Sequence, residues 1–371
     1  MLAPQKLIVP LASADHCFAH VYKEASMMNL NGTDKLPLPR ESSQFIAENC
    51  DEVTINEAAV DVLAKKLFNS FKKQEYSIQE WKHHKLHPQK MVQETVDWIF
   101  IMDTLNFSFW SESNDKRYLV EFNGEKHSGY WALCAAIKRA VEEGIPITDP
   151  SYYAKITEEQ LKQVFRSATN TPIPLLEQRR KNLHEAGKVL LEKFGGSFVN
   201  CILECDKSAQ KLLDLIVTNF PSYRDVGTYK GKRVSILKRA QILIADIWAC
   251  FEAKSFGEFH DIDSLTMFAD YRVPQVLNYF GILEYSDVLM KALREDEISN
   301  GDPLELEIRG CSIWAVELIL KAVRKKAQTN GGKALANVNS VVVDFYLWDY
   351  SKDHWQDMKH IPIHRLRSTY Y

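Results

Sequence analysis

The sequence predicts a mostly α-helical protein with one small antiparallel β element. After residue 39, apolar residues recur at spacings of three and four through most of the chain. Only Tyr118-Leu-Val-Glu-Phe122, followed by the turn dipeptide Asn123-Gly124, reads as a strand entering a tight turn. The size fits this reading. A chain of 371 residues, 46% hydrophobic and 26% charged, can bury a large core as one domain or as two packed helical lobes.

The first 38 residues read as an extension of uncertain order. They contain the turn signal Asn31-Gly32 and end in Leu36-Pro37-Leu38-Pro39. The folded body, residues 39–371, starts at Arg40-Glu41-Ser42-Ser43, where the serines suit a helix cap. Val60, Leu63, Ala64 and Leu67 share a helix face, and Val96 to Trp110 is dense in apolar and aromatic residues. Trp131, Cys134, Ile137 and Val141 mark a helix that Gly144 and Pro146 stop. Thr157 and Gln160 make a capping box for the next helix. Further helical segments run over Leu183–Phe194, Ala209–Val217 and Ile236–Phe251. Ser286 caps a helix through Leu289 and Leu293, and Ile313, Val316, Leu320 and Val323 form another stripe. Val341–Leu347 fits a strand or a buried helical turn equally well, because a short apolar run has no diagnostic period.

Composition excludes several classes. A net charge of -3, with basic residues dispersed among acids, argues against gripping long nucleic acid, though not against a single-nucleotide pocket. No stretch reaches the roughly 20 apolar residues of a membrane helix, and Asp15 and His16 interrupt the short apolar run from Leu7 to Ala12. The expectation is a soluble, cytoplasmic or nuclear protein. Seven cysteines without a C-x-x-C pair fit a reducing compartment, with Cys134 and Cys250 as core residues.

Phosphate-loop, dinucleotide-binding and nucleophile-elbow motifs are absent. His83, His84 and His87 lie in a polar stretch that reads as a solvated loop, and Tyr229-Lys-Gly-Lys-Arg233 reads as an exposed turn. No metal or cofactor is implied. Three acid-bearing islands carry more information. Asp103 and Asn106 interrupt Ile101-Met-Asp-Thr-Leu-Asn-Phe-Ser-Phe-Trp110. Asp270 sits in Phe268-Ala-Asp-Tyr-Arg-Val-Pro-Gln275, and Asp349 in Asp344-Phe-Tyr-Leu-Trp-Asp-Tyr350. A buried carboxylate is costly unless it is paired or used. Together the islands suit a pocket for a flat, polar ligand, with aromatic faces to stack on it and acids to read its edge.

These islands, with Ser128-Gly-Tyr-Trp-Ala-Leu-Cys134, Glu143-Gly-Ile-Pro-Ile-Thr148, Glu307-Ile-Arg-Gly-Cys-Ser312 and His364-Arg-Leu-Arg-Ser-Thr-Tyr-Tyr371, resemble the queuosine salvage proteins. The likeness extends from about Pro39 to the end of the chain. It implies a helical fold similar to that of helix-hairpin-helix DNA glycosylases. It also implies hydrolysis of queuosine 5′-monophosphate to queuine and ribose 5-phosphate, with no stable nucleic-acid complex. On that basis Asp270 is assigned as the catalytic acid, with Asp246 as the alternate. Asp103 and Asn106 would read the base edge, and Asp349 or Glu307 would pair with the amine of queuine. Phe107, Trp110, Phe268, Tyr271 and Trp348 are the stacking candidates, and Lys238, Arg272 and Arg309 the phosphate candidates. Trp131 and Trp248 read as core, and Tyr370-Tyr371 as packing. The rival readings are a DNA glycosylase, which the acidic charge balance disfavours, and a non-catalytic queuine-binding scaffold.

Overall fold

Helices dominate the computed structural model, which describes residues 35–73, 77–113, 116–296, 298–329, 335 and 338–371. The N-terminal extension lies outside the described residues up to residue 34. Residues Pro37–Tyr371 form one compact unit.

The body opens with α1 (Pro39–Asn49), β1 (Val53–Ile55), α2 (Glu57–Lys72), α3 (Glu80–His83) and α4 (Gln93–Thr104). Pro39 takes the first helical position of α1, where its missing N–H costs nothing, so the helix starts just before the expected serines. Ser42 lies inside the helix, and its hydroxyl accepts the Ser235 amide at 2.9 Å. The expected hairpin forms from β2 (Leu119–Phe122) and β3 (Glu125–Ser128). Asn123 and Gly124 both take positive φ at its turn.

There follow α5 (Tyr130–Glu142), α6 (Pro150–Tyr153), α7 (Glu158–Val164), α8 (Leu176–Lys193), α9 (Phe198–Leu203) and α10 (Ala209–Asn219). The capping box of α7 is present, with Thr157 Oγ1 accepting the Gln160 amide at 3.2 Å and Gln160 Oε1 accepting the Thr157 amide at 2.9 Å. A second hairpin, β4 (Val226–Tyr229) with β5 (Lys232–Ser235), occupies the stretch expected to be an exposed turn. A third ladder pairs β1 with β6 (Leu283–Tyr285), so the structure has three small antiparallel ladders among the described residues. Strands of three or four residues carry too few side chains to show a period of two.

The remaining helices are α11 (Lys238–Cys250), α12 (Val273–Tyr279), α13 (Asp287–Glu295), α14 (Pro303–Thr329), α15 (Ser340–Asp353) and α16 (Trp355–Met358). Val341–Leu347 is therefore helical. Asn339 caps it by accepting the Val342 amide at 3.0 Å. Helices α4 and α11 pack together at the centre, and all but one residue of α11 is buried. Their polar residues therefore face either the core or a cavity within it.

Candidate active site

Lys238, Ile242 and Asp246 recur every four residues along α11 and so share one face. That face borders a cavity of about 880 Å³. Opposite it, Asp344, Phe345, Trp348, Asp349 and Lys352 project from α15 at helical spacing. The loop Phe268–Arg272, the Asn106–Ser113 segment, the start of α5 and the segment around α3 complete the wall.

Local backbone chemistry fixes each part. Leu237 takes a left-handed conformation, φ 53°, held by its amide on Asp225 O at 3.2 Å. That kink starts α11, and Asp225 Oδ2 accepts the Lys238 amide at 3.1 Å. The Asp270 loop is pinned at several points. Asp344 Oδ1 accepts the Phe268 amide at 2.9 Å, and Arg309 Nε donates to Ala269 O at 3.0 Å. Asp270 Oδ1 itself accepts the amides of Arg272 and Val273 at 2.7 and 2.9 Å at the start of α12. Among the described residues only this oxygen of Asp270 is hydrogen-bonded, and the side chain is half-buried against the cavity. A carboxylate held this way loses little conformational freedom when it meets a ligand.

The electrostatics are unusual. Lys238 is buried and lies among Asp270, Asp103 and Asp344. Desolvation lowers its pKa, and those charges oppose the fall. Burial pushes Asp103 up to about 7, against the hydrogen bond from Asn106 Nδ2, 3.0 Å from its Oδ1. Burial raises Asp246 and Asp344 well above the carboxylate range. Among the described residues, Asp103 Oδ2 and Asp246 Oδ1 are buried without a hydrogen-bond partner. Each such atom costs about 1–3 kcal/mol until something donates to it. This arrangement fits a ligand that brings its own N–H groups.

The sequence reading missed one wall. His84 and His87 are not on a solvated loop: both line the cavity. His87 is buried, stacked on Trp81 with centroids 3.8 Å apart, and His84 is stacked on Trp131 at 3.3 Å. His87 Nδ1 lies 2.5 Å from Trp81 O, a pure acceptor, so Nδ1 carries the proton and Nε2 accepts from Tyr130 OH at 2.9 Å. Burial lowers His87 to about 3 and His84 to about 4, which keeps both neutral. Trp131 belongs to this wall rather than to the core, and its ring stands edge-on to Trp348 at 5.9 Å. Trp248 is buried. Tyr118, Tyr130 and Lys352 also line the cavity, and the buried Tyr118 hydroxyl has no hydrogen-bond partner among the described residues. A clue was present at Trp81-Lys-His-His-Lys-Leu-His87, where one tryptophan and three histidines fall within seven residues.

Of the residues singled out from sequence, the fold gathers Asn106, Trp110, Lys238, Asp246, Phe268, Asp270, Tyr271, Arg272, Trp348 and Asp349 around the cavity. Asp103 lies fully buried behind Asn106. Three more do not line it. Phe107 is sealed between the guanidinium groups of Arg179 and Arg239, 4.3 and 5.3 Å from its ring centre. Glu307 faces away, accepting the amides of Asp51 and Glu52 at 3.1 and 2.7 Å and the Tyr229 hydroxyl at 2.8 Å. Arg309 is paired with Asp225 at 2.6 Å and Glu305 at 3.3 Å. These three cannot contact a ligand in the cavity. Tyr371 reaches the cavity wall while its hydroxyl donates to Glu305 at 2.7 Å. The preceding tail braces the Asn106–Ser113 segment, with Trp110 Nε1 donating to Leu366 O at 2.7 Å and Ser108 Oγ to Ser368 O at 2.7 Å.

Among the described residues, no three His, Cys, Asp or Glu side chains converge as a metal site, and no helix is long and apolar enough to cross a membrane. The chemistry on offer is that of carboxylates, one buried ammonium and aromatic faces. Known proteins share the chain that builds it. A relative from Bos taurus is 52% identical over 340 residues, covering 91% of this chain and 100% of its own. One from Schizosaccharomyces pombe is 42% identical and one from Sphaerobacter thermophilus 38%, each covering 89% of this chain and at least 96% of its own. All three bear the name queuosine 5′-phosphate N-glycosylase/hydrolase. Residues 86–371, which hold every cavity-lining residue but Trp81 and His84, match the model of the queuosine salvage protein family, and the chain belongs to that family.

Proposed function

We propose that this chain hydrolyses the N-glycosidic bond of queuosine 5′-monophosphate, releasing queuine and ribose 5-phosphate for salvage into tRNA. The observation that carries the reading is the carboxylate oxygen of Asp246, without a partner among the described residues, at a cavity that also holds a backbone-fixed Asp270, with a second such oxygen on Asp103 buried behind Asn106. The pyrimidine edge of queuine presents an N–H and an amino group, two donors that match acids lacking partners. Breaking the C1′–N bond develops positive charge on the ribose, and Asp270 supplies the carboxylate that stabilises or attacks it. Queuine has no N7 to protonate. Leaving-group assistance therefore comes through hydrogen bonds to the base edge that strengthen as negative charge grows there.

In this reading Asp349 pairs with the cationic amine of queuine. Trp110, Phe268, Tyr271 and Trp348 stack on the base. Arg272 and Lys238 serve the phosphate, and Lys352 joins them because it lines the same wall. Residues 39–371 act as a single catalytic domain, with a fold similar to that of helix-hairpin-helix DNA glycosylases. The helix-dominated body with its short ladders supports that likeness. Six free thiols among the described residues support a cytoplasmic or nuclear setting, and the charge of -3 supports a lone nucleotide over a nucleic-acid complex.

The test is turnover of queuosine 5′-monophosphate with chelator present, followed as free queuine by chromatography, with Asp270→Asn in parallel. Wild type should release queuine. The variant should bind the nucleotide and turn over at least about 10²-fold more slowly. Wild type that binds queuine but releases none would overturn the enzymatic reading in favour of a scaffold. A fully active variant would move the catalytic role to Asp246.

A further inference from the structure

Away from the cavity, two cysteines on different elements meet. Cys50 ends α1, and Cys311 lies within α14. The helices approach so closely that a Cβ on Gly310 would fall 2.6 Å from the Ile46 side chain, one turn before Cys50. One turn before Cys311, on the same face of α14, Glu307 accepts the amides of Asp51 and Glu52 at 3.1 and 2.7 Å. The backbone on both sides of Cys50 is thereby fastened to the helix face that carries Cys311. The two thiols are neighbours that shift one another's titration, and the Cys50 thiol itself donates to Val53 O at 2.9 Å. Cys50 is half-buried and reachable from solvent, whereas Cys311 is fully buried.

We propose that Cys50 and Cys311 form a reversible disulfide on exposure to hydrogen peroxide, with Cys50 as the reacting thiol. The neighbouring Cys311 thiol holds Cys50 below its ordinary pKa, against burial and the charge of Glu307. Cys50 in turn, with burial, pushes Cys311 well up. Cys50 is thus the more acidic and the more accessible of the two, the features of a peroxide-reactive thiol. Its sulfur attacks one peroxide oxygen, the O–O bond breaks, and water leaves a sulfenic acid at Cys50. The Cys311 sulfur then attacks the Cys50 sulfur, the S–O bond breaks, and a second water leaves. Two thiols lose two electrons in all, and one peroxide becomes two waters. A dithiol reductant reverses the bond by exchange. The bond would tie the end of α1 to α14 and, by constraining the unfolded chain, raise the melting temperature.

The experiment treats the reduced full-length protein with hydrogen peroxide, blocks remaining thiols by alkylation, and maps peptides without reduction. Cys50→Ser and Cys311→Ala serve as controls; neither position lines the cavity. The expected result is a Cys50–Cys311 peptide two hydrogens lighter than its reduced parts. It should be lost on dithiothreitol treatment and accompany a rise in melting temperature that Cys50→Ser lacks. Sulfinic acid at Cys50 without a link would overturn the proposal. So would a link between other cysteines, or Cys50 left reduced while the other thiols oxidise. Because the reading rests on peptide mapping of the unmutated protein, it stands even if Cys311→Ala fails to fold.

Discussion

Arg309 and Lys238 are both buried cations set among carboxylates, and Asp225 touches both. It accepts the Arg309 guanidinium through both oxygens, at 3.0 and 2.6 Å, and the Lys238 amide at 3.1 Å. Around Arg309 the pairing is complete. Glu305 lies 3.3 Å away, accepts the Tyr371 hydroxyl and bonds the Gly301 amide, and the Tyr371 ring lies 4.2 Å from the guanidinium. Around Lys238 it is incomplete, because among the described residues Asp103 and Asp246 each keep an oxygen without a partner and burial lifts both acids. A paired cluster of this kind holds helices in register. An unpaired one persists because a ligand completes it.

The same substitution at the two cations separates these roles. Arg309→Met leaves Asp225 and Glu305 buried without their cation and should cost about 3–5 kcal/mol of stability, read as a lower midpoint in urea unfolding. Part of that cost reaches the site, because Arg309 also holds Ala269 O beside Asp270. Lys238→Met should move the midpoint far less, since the acids around it are already raised and can take up protons. It should instead slow queuine release on the order of 10²-fold, the scale expected for losing one preorganised charge at a site. Equal loss of stability in both variants would erase the distinction between the clusters.

How far this contrast was legible in the sequence follows from what each residue contacts. Asp270 could be singled out because an acid among aromatic and apolar neighbours is rare and costly. Lys238, Asp246, Glu307 and Arg309 came from the family resemblance, and it is Glu307 and Arg309 that the fold turns away from the cavity. A motif marks a charge but not its partner, and Asp225 lies 84 positions from Arg309. Phe107 failed for a related reason, since its cap is Arg179, 72 positions on. His87 was lost because a polar local stretch reads as solvated, while its partners Tyr130 and Trp131 come from another helix. The helical class, the α7 cap and the first hairpin were legible because each rests on neighbours within a turn or two.

The smallest effect is a slope and not a step. Asp103 has an ordinary pKa near 3.9 when unfolded and about 7 in the fold, because of burial. Between about pH 4 and 7 the folded protein holds a proton that the unfolded chain has released, so stability falls as pH rises through that window. One such group contributes at most about 1.4 kcal/mol per pH unit. Asp103→Asn, which resembles the protonated acid, should flatten the slope measured by urea unfolding across that range, leaving the shares of Asp246 and Asp344. Queuine sharpens the comparison. If its N–H edge completes the carboxylates, binding near pH 6 should expel a proton, seen as a buffer-dependent heat in titration calorimetry, and Asp103→Asn should reduce it. An unchanged proton count would mean that the ligand leaves Asp103 protonated, and the base edge would then be read by Asp246 alone.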